Sequence, residues 1–307
     1  MHPRPAALPY LQVALAATAW GTWSLFLRPA AVDARWSSAI MLGVVAVVCA
    51  PLLLRRAARG PGSGPPRRLG EWGSIALLGV FDALNASLFF AAMAETTVAI
   101  AVLSHYLAPL LVALSAPSAL GTPRDRRAVP LATLAGLGLA LVLEPWRFGA
   151  HAAGRPLLGA LLGAGSAIFY AANVLLTKRM RDRFTAEEQL VWHSVLSTVL
   201  LVAAALALHA PLPSANGLRT VAIAGAVIGA SAGLLFLYGL RRIPAEHAGM
   251  LTFLEPLTAV VVAWLAWGER PGALALVGAL LVVTSGALAI RTGDARAPAA
   301  QRASTPL

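Results

Sequence analysis

The stretch "FLEPLTAVVVAWLAWGERP", residues 253–271, decides the fold. It is apolar enough to sit in lipid, yet Glu255 and Pro256 stand side by side inside it. An earlier stretch, "YLAPLLVALSAPSALGTP" (106–123), repeats the element without the acid. Pro256 follows Pro109 by 147 positions, and at that spacing the flanking leucines and the closing glycines Gly121 and Gly268 also coincide. Leu88-Phe89 falls on Leu235-Phe236 at the same spacing. At a spacing of 150, "WGTWSLFLR" (20–28) falls on "YAANVLLTK" (170–178): an aromatic, a small residue, and a base eight positions on. The chain is written twice, and one copy carries a glutamate that the other lacks.

The surroundings of the repeat say what kind of chain this is. Of 307 residues, 58% are hydrophobic and only 12% charged, with mean hydropathy +0.74. Soluble domains carry about 25% charged residues, so the composition is that of a polytopic membrane protein. A spanning helix needs about 20 mostly apolar residues. Ten such runs are predicted: 9–27, 37–54, 73–93, 97–120, 129–143, 157–176, 187–208, 218–238, 245–267 and 272–290, the fifth of them short. A Gly/Pro/Arg-rich linker, 55–68, joins the second and third, and the tail, 291–307, reads as disordered. A first run cleaved as a signal peptide would leave nine spans, so it is kept as a helix. Cys49 stands alone, so no disulfide framework or metal signature exists within the chain.

The formal charge of +11 could suggest nucleic acid, but its placement suggests otherwise. With the N-terminus inside, only Arg28, Arg35, Arg147, Arg155, Arg219 and Arg270 of the 24 basic residues fall in outer segments. A bias of that size with one consistent alternation is the positive-inside pattern. It predicts both termini in the cytoplasm of a cell in whose inner membrane the chain sits, and it accounts for the charge without nucleic acid.

The expected fold is therefore all-α: ten transmembrane helices in two five-helix repeats, 9–143 and 157–290. Five is odd, so the second repeat enters the membrane inverted. Inverted repeats are the architecture in which secondary transporters alternate access, with the site near mid-membrane between the halves. The paired "LxPL" elements, the stretch from Pro256 to Ile290 and the basic ends of the first helices resemble the drug/metabolite transporter superfamily, EamA-type ten-helix carriers, over almost the whole chain. That resemblance implies movement of a small molecule across the membrane: amino acids or related metabolites, with export implied, or alternatively cationic drugs. Such carriers often place a glutamate after the closing glycine of the fourth and ninth helices. Gly268-Glu269 keeps it, whereas Gly121 is followed by Thr122.

Several residues are candidates for the site. Glu255 lies nine residues beyond Glu246, about 14 Å into a core about 30 Å thick. An acid there costs at least about 2.5–3.5 kcal/mol to insert and should face protein or water. Coupling to protons, contact with a substrate amine, and capping of carbonyls freed by Pro256 are its possible uses. His105 lies at similar depth in the fourth helix and is the natural partner for proton coupling or for a zwitterionic substrate; a neutral histidine bonded to a backbone carbonyl is the alternative. Asp82 and Asn85 share a face of the third helix. Trp20, Trp23, Tyr106 and Phe253 are candidate cavity aromatics, as against core or lipid anchors. Pro109 and Pro256, lacking an N–H, are candidate hinges or packing kinks. Asn173 and His193 lie nearer the inside, as an inner gate or as helix–helix contacts. "GAVIGASAG" (225–233) and "GALLG" (159–163) are small-residue patterns for close helix packing, not phosphate loops.

An enzyme is the rival class. "AEEQLVWH" (186–193) brings two acids and a histidine together, but Trp192 stands where an E-E-x-x-x-R motif needs its base, and no H-E-x-x-H occurs. No cofactor or metal is expected. A channel or scaffold would not need matched prolines in inverted halves. The partners implied are the bilayer, a small-molecule substrate and protons; nothing in the pattern bears on oligomeric state. Topology reporters fused at Arg59 and after Arg291 should both report a cytoplasmic location; an outside report from either contradicts the assigned orientation.

Overall fold

The structure, a computed structural model, describes residues 7–57, 69–148 and 155–303. The linker expected at 55–68 lies, from residue 58 on, outside them, as do residues 304–307 of the tail. The described residues are all-helical and contain no strand. Hydrocarbon offers backbone N–H and C=O groups no partner, so each apolar run closes its own hydrogen bonds as a helix.

Among the described residues, fourteen α-helices build ten spans. Span 1 is α1 (Ala7–Trp20) and α2 (Ser24–Ala30). Spans 2 and 3 are α3 (Ala34–Ala57) and α4 (Leu69–Glu95). Span 4 is α5 (Val98–His105) with α6 (Ala108–Leu120), and span 5 is α7 (Ala128–Leu143). The second half begins with span 6, α8 (Pro156–Arg179), and span 7, α9 (Ala186–Ala207). Span 8 is α10 (Ala215–Ala224), a π-helical turn (Gly225–Gly229) and α11 (Ala230–Leu240). Span 9 is α12 (Ala245–Leu251) with α13 (Leu254–Trp267), and span 10 is α14 (Ala273–Ala303). Among the described residues, eight helical segments are long and apolar enough to cross a membrane. The fifth span is the shorter apolar helix, and the first is interrupted at Gly21–Trp23. In α14 the apolar span ends at Arg291 and the helix continues to Ala303, into the segment read as a tail.

Polar residues start several helices. Thr185 and Glu188 form a reciprocal capping box at α9, and the side chains of Thr97 and Ser214 accept from Ile100 N and Gly217 N at α5 and α10. Gly121 and Gly268 end α6 and α13 in the left-handed conformation, at φ +64° and +72°. Their correspondence in the sequence is thus a shared C-terminal cap, which glycine adopts without steric cost.

The two halves interlock. Span 1 packs on span 8 and span 3 on span 6, while span 2 packs on span 7 and span 5 on span 10. Exchanging each helix for its repeat mate turns the first pair into the second and maps each of the others onto itself, as a pseudo-two-fold arrangement requires. Close crossings use small residues, because in lipid it is packing rather than hydrophobic burial that holds helices together. A Cβ on Gly278 would lie 2.3 Å from the Gly138 carbonyl oxygen, and one on Gly138 would lie 2.7 Å from that of Gly278. Gly159 and Gly163 press on Thr96 and Ser104, and Gly225 and Gly229 on Met41 and Val45, the packing role expected for both small-residue patterns. Gly278→Val should lower the thermal midpoint in detergent by the equivalent of about 1–3 kcal/mol of overpacking. Gly136→Ala, where nothing lies within 4 Å, should not. An unchanged midpoint for Gly278→Val contradicts the close crossing.

Candidate functional site

A helix within hydrocarbon is broken only where the freed backbone groups meet protein or water. Spans 4 and 9 are both broken near mid-length, at Tyr106-Leu107 and at Thr252-Phe253. At each break the backbone stays right-handed: Leu107 and Phe253 keep helical φ and ψ, and their N–H groups bond three residues back, to the carbonyls of Ser104 and Met250. Pro109 and Pro256 sit in the first turn of the helix that follows each break, where a missing N–H costs nothing. Glu255 is therefore a first-turn acid of α13, close to the positive end of its helix dipole. The carbonyl oxygen of Glu255 lies against Gly21, where a Cβ would come within 2.5 Å, so the break in span 1 nests against the start of α13.

These breaks surround a cavity of about 910 Å³. Its floor is made by Trp20, His105, Tyr106 and Glu255, and its walls include Trp23, Phe89 and Pro256. The remaining lining residues, among them Leu27, Met93, Val98, Leu143 and Glu269 to Gly272, come from the parts of spans 1, 3, 4, 5 and 9 that lie on one side, joined by Met41 of span 2. The cavity thus opens to that side, the far face. The opposite side, which carries Lys178, Arg179, Arg181, Arg183 and Arg241, is the basic face.

Polar side chains hold the floor in place. The Tyr106 hydroxyl is directed at the Glu255 carboxylate, and the Tyr106 ring stacks on Phe253 with centroids 5.5 Å apart. His105 Nδ1 lies 2.8 Å from Ser166 Oγ, which donates to Asn85 Oδ1 at 2.8 Å. Since Ser166 has one proton and gives it to Asn85, Nδ1 is the donor to Ser166, and the other ring nitrogen is left as an acceptor. The His105 ring is packed among Phe89, Tyr106 and Tyr170 at centroid distances of 4.8–5.4 Å.

Of the residues singled out in the sequence, Trp20, Trp23, His105, Tyr106, Glu255 and Pro256 line this cavity. Phe253, fully buried with Leu139 and Val282, backs its wall through Tyr106. Asn85 stands one layer behind, reaching His105 through Ser166. Pro109 is buried behind the cavity, against Gly249 of α12. Asp82 turns instead to span 7: its carboxylate accepts from Ser197 Oγ at 3.2 Å and lies 3.6 Å from His193 Nδ1. Asn173 donates to the Leu78 carbonyl and so ties span 6 to span 3. Ser166, which orients His105, carries no signal in the sequence beyond being a polar residue mid-helix.

The basic face is closed. Every residue of α12 is buried, whereas its repeat mate α5, at the open far face, buries only Ala99 and Ala101. Tyr10 Oη lies 3.1 Å from His247 Nδ1, and His247 Nε2 lies 3.5 Å from Asp125 Oδ2, joining spans 1 and 9 to the loop between spans 4 and 5. Lys178 Nζ, buried, donates at 2.6 Å to the carbonyls of both Leu240 and Ile243. Arg241 reaches the carbonyls of Phe184 and Arg181, and Arg183 pairs with Glu71. Among the described residues no group of three or more metal-ligating side chains converges.

Comparisons with known proteins agree with this architecture. The model of the EamA-like transporter family matches residues 7–144 and again residues 157–291. An uncharacterized transporter from Archaeoglobus fulgidus is 27% identical over 282 residues, covering 91% of this chain and 95% of that protein. A protein of known crystal structure superposes with a TM-score of 0.75 at 22% identity, over 92% of this chain and 98% of its own, and shares the fold. With two matches that together span nearly the whole chain, the protein is a member of the EamA-like transporter family, a polytopic membrane protein of the drug/metabolite transporter superfamily.

Proposed function

We propose that the protein is a secondary transporter that carries amine-bearing small molecules, amino acids or related compounds, across the cell membrane by alternating access. The observation that carries the reading is the cavity: about 910 Å³, open at one face, sealed at the other, with Glu255 on its floor. A single carboxylate at the floor, ringed by Trp20, Trp23, Phe89 and Tyr106, suits an ammonium on an apolar or aromatic body. The floor holds no Lys or Arg to take a carboxylate, so an organic cation larger than an amino acid is the second reading. The free ring nitrogen of His105 would accept from the same ammonium.

By the positive-inside pattern the basic face is cytoplasmic and both termini lie inside. The cavity then opens outward, and export would load it in the opposite conformation. The breaks before Pro109 and Pro256 are the hinges of this reading, because two short helices can tilt about a break without opening a continuous ladder. Glu255 is the coupling group: one carboxylate that holds either a proton or the substrate amine exchanges them, which is antiport.

Purified protein in liposomes, screened with amino acids, aromatic amines and quaternary ammonium dyes, should move at least one class at a rate that a pH gradient alters. Glu255→Gln should lose that pH response and slow transport about tenfold or more, since the removed contact is a charge-assisted one. A Gln variant that transports and responds to pH like the parent contradicts the coupling role.

A further inference from the structure

Lys178 and Arg28 are mates in the repeat, yet the structure uses them differently. Lys178, a residue 7% exposed, ends span 6 on the basic face, with its ammonium between the carbonyls of Leu240 and Ile243. These carbonyls lie at the C-terminal end of α11 and just beyond it, where a helix leaves its last four C=O groups without donors and presents negative charge. The lysine therefore ties span 6 to the end of span 8, across the sealed face. Arg28, 150 positions earlier, ends span 1 on the far face. It is half-exposed, its Nη1 is 2.6 Å from Glu269 Oε1, and its guanidinium stands over the Trp267 ring.

The residues that correspond to Leu240 and Ile243, 147 positions earlier, are Met93 and Thr96. They lie at the C-terminal end of α4 and just beyond it. The correspondence holds locally to the residue: α5 begins at Val98 and α12 at Ala245, again 147 apart. Met93 and Leu27, the neighbour of Arg28, both line the open cavity. The acceptor site for Arg28 is thus present, on the far side of the opening.

We propose that Arg28 is the mirror of Lys178: when the cavity closes toward the far face, the guanidinium leaves Glu269 and donates to the main-chain carbonyls of Met93 and Thr96, while Lys178 releases Leu240 and Ile243. Glu269 is then the holder of the far-face-open state, an acid whose counterpart is Thr122 in the first half. Each face has one basic latch, and only one is fastened at a time. A guanidinium spreads its donors in a planar fork, so it can serve two carbonyls as the ammonium of Lys178 does.

The proposal rests on alternating access, but its test needs no substrate. Ala245 is 1% exposed here and its mate Val98 is 61% exposed, so Ala245 becomes accessible from the basic face only when the far face is closed. In protein carrying Ala245→Cys and Cys49→Ser, reconstituted in liposomes, labelling by a membrane-impermeant maleimide from the basic face reports that state. Lys178→Ala should speed labelling, and Glu269→Gln, which frees Arg28, should speed it by up to about fivefold, the scale of an exposed ion pair. Arg28→Ala should slow it by a similar factor, and Arg28→Lys should restore the parent rate. If Arg28 and Glu269 formed only a static rim pair, Arg28→Ala and Glu269→Gln would shift labelling in the same direction, and that result overturns the proposal. Equal labelling in all variants overturns it too. Failure of the transport reading itself appears separately, as absence of substrate movement with these opposed shifts intact.

Discussion

The constraint on which the structure depends is that hydrocarbon cannot satisfy a backbone hydrogen bond. It makes every span helical, and it makes any break in a span conspicuous. Among the described residues the breaks in spans 1, 4 and 9 all adjoin the cavity, at Gly21–Trp23, Tyr106-Leu107 and Thr252-Phe253. The chain gives up helix where a cavity or a neighbouring span takes over the freed groups. The same reasoning applies to charge. Glu255 is set at the first turn of a short helix, against Tyr106, so the positive end of the dipole and a phenol stand in for lost water.

Repetition sets like segments in unlike surroundings. Equivalent segments occupy different environments: α12 is buried throughout and α5 is not, while α6 buries five residues and α13 only Pro256. In each broken span the half toward the basic face is packed and the half toward the far face is open. On the alternating-access reading proposed above, a second arrangement would exchange these environments, and the departures from symmetry are where the two states would differ in energy. Glu255 faces Ala108 across the repeat, Glu269 faces Thr122, and His105 faces Thr252.

Much of the fold was legible in the sequence because hydropathy over twenty residues is a strong signal. The ten runs, the glycine caps and the small-residue crossings all rest on local pattern. The breaks in spans 4 and 9 were legible only to within a few residues, through their prolines, and the one at Gly21–Trp23 was not marked at all. Pro109 and Pro256 were visible, but a proline can as well kink a helix as begin one, and only the backbone path separates the two. Glu255, His105, Tyr106 and Trp20 were legible as polar or aromatic groups at mid-span depth. The partner of Asp82 was not, because pairing of spans 3 and 7 is a tertiary fact that periodicity does not carry. Lys178 was counted among loop charges, since a base at a helix end reads as solvated; its burial follows from where span 8 ends. His247 stood two residues inside the ninth helix and drew no attention beside Glu255.

Alternating access, as proposed above, requires that the two faces open in turn. Spin labels placed pairwise at Pro29 and Val98 on the far face, and at Arg179 and Arg242 on the basic face, report each opening by pulsed electron resonance. Pro29 and Arg179 are repeat mates, and Arg242 stands three residues before Ala245, the mate of Val98, so the two distances are near-equivalent measures. On changing pH, or on adding a transported amine, the account predicts that the far-face distance shortens as the basic-face distance lengthens. Distances that stay fixed, or that lengthen together, in protein that still transports would contradict it.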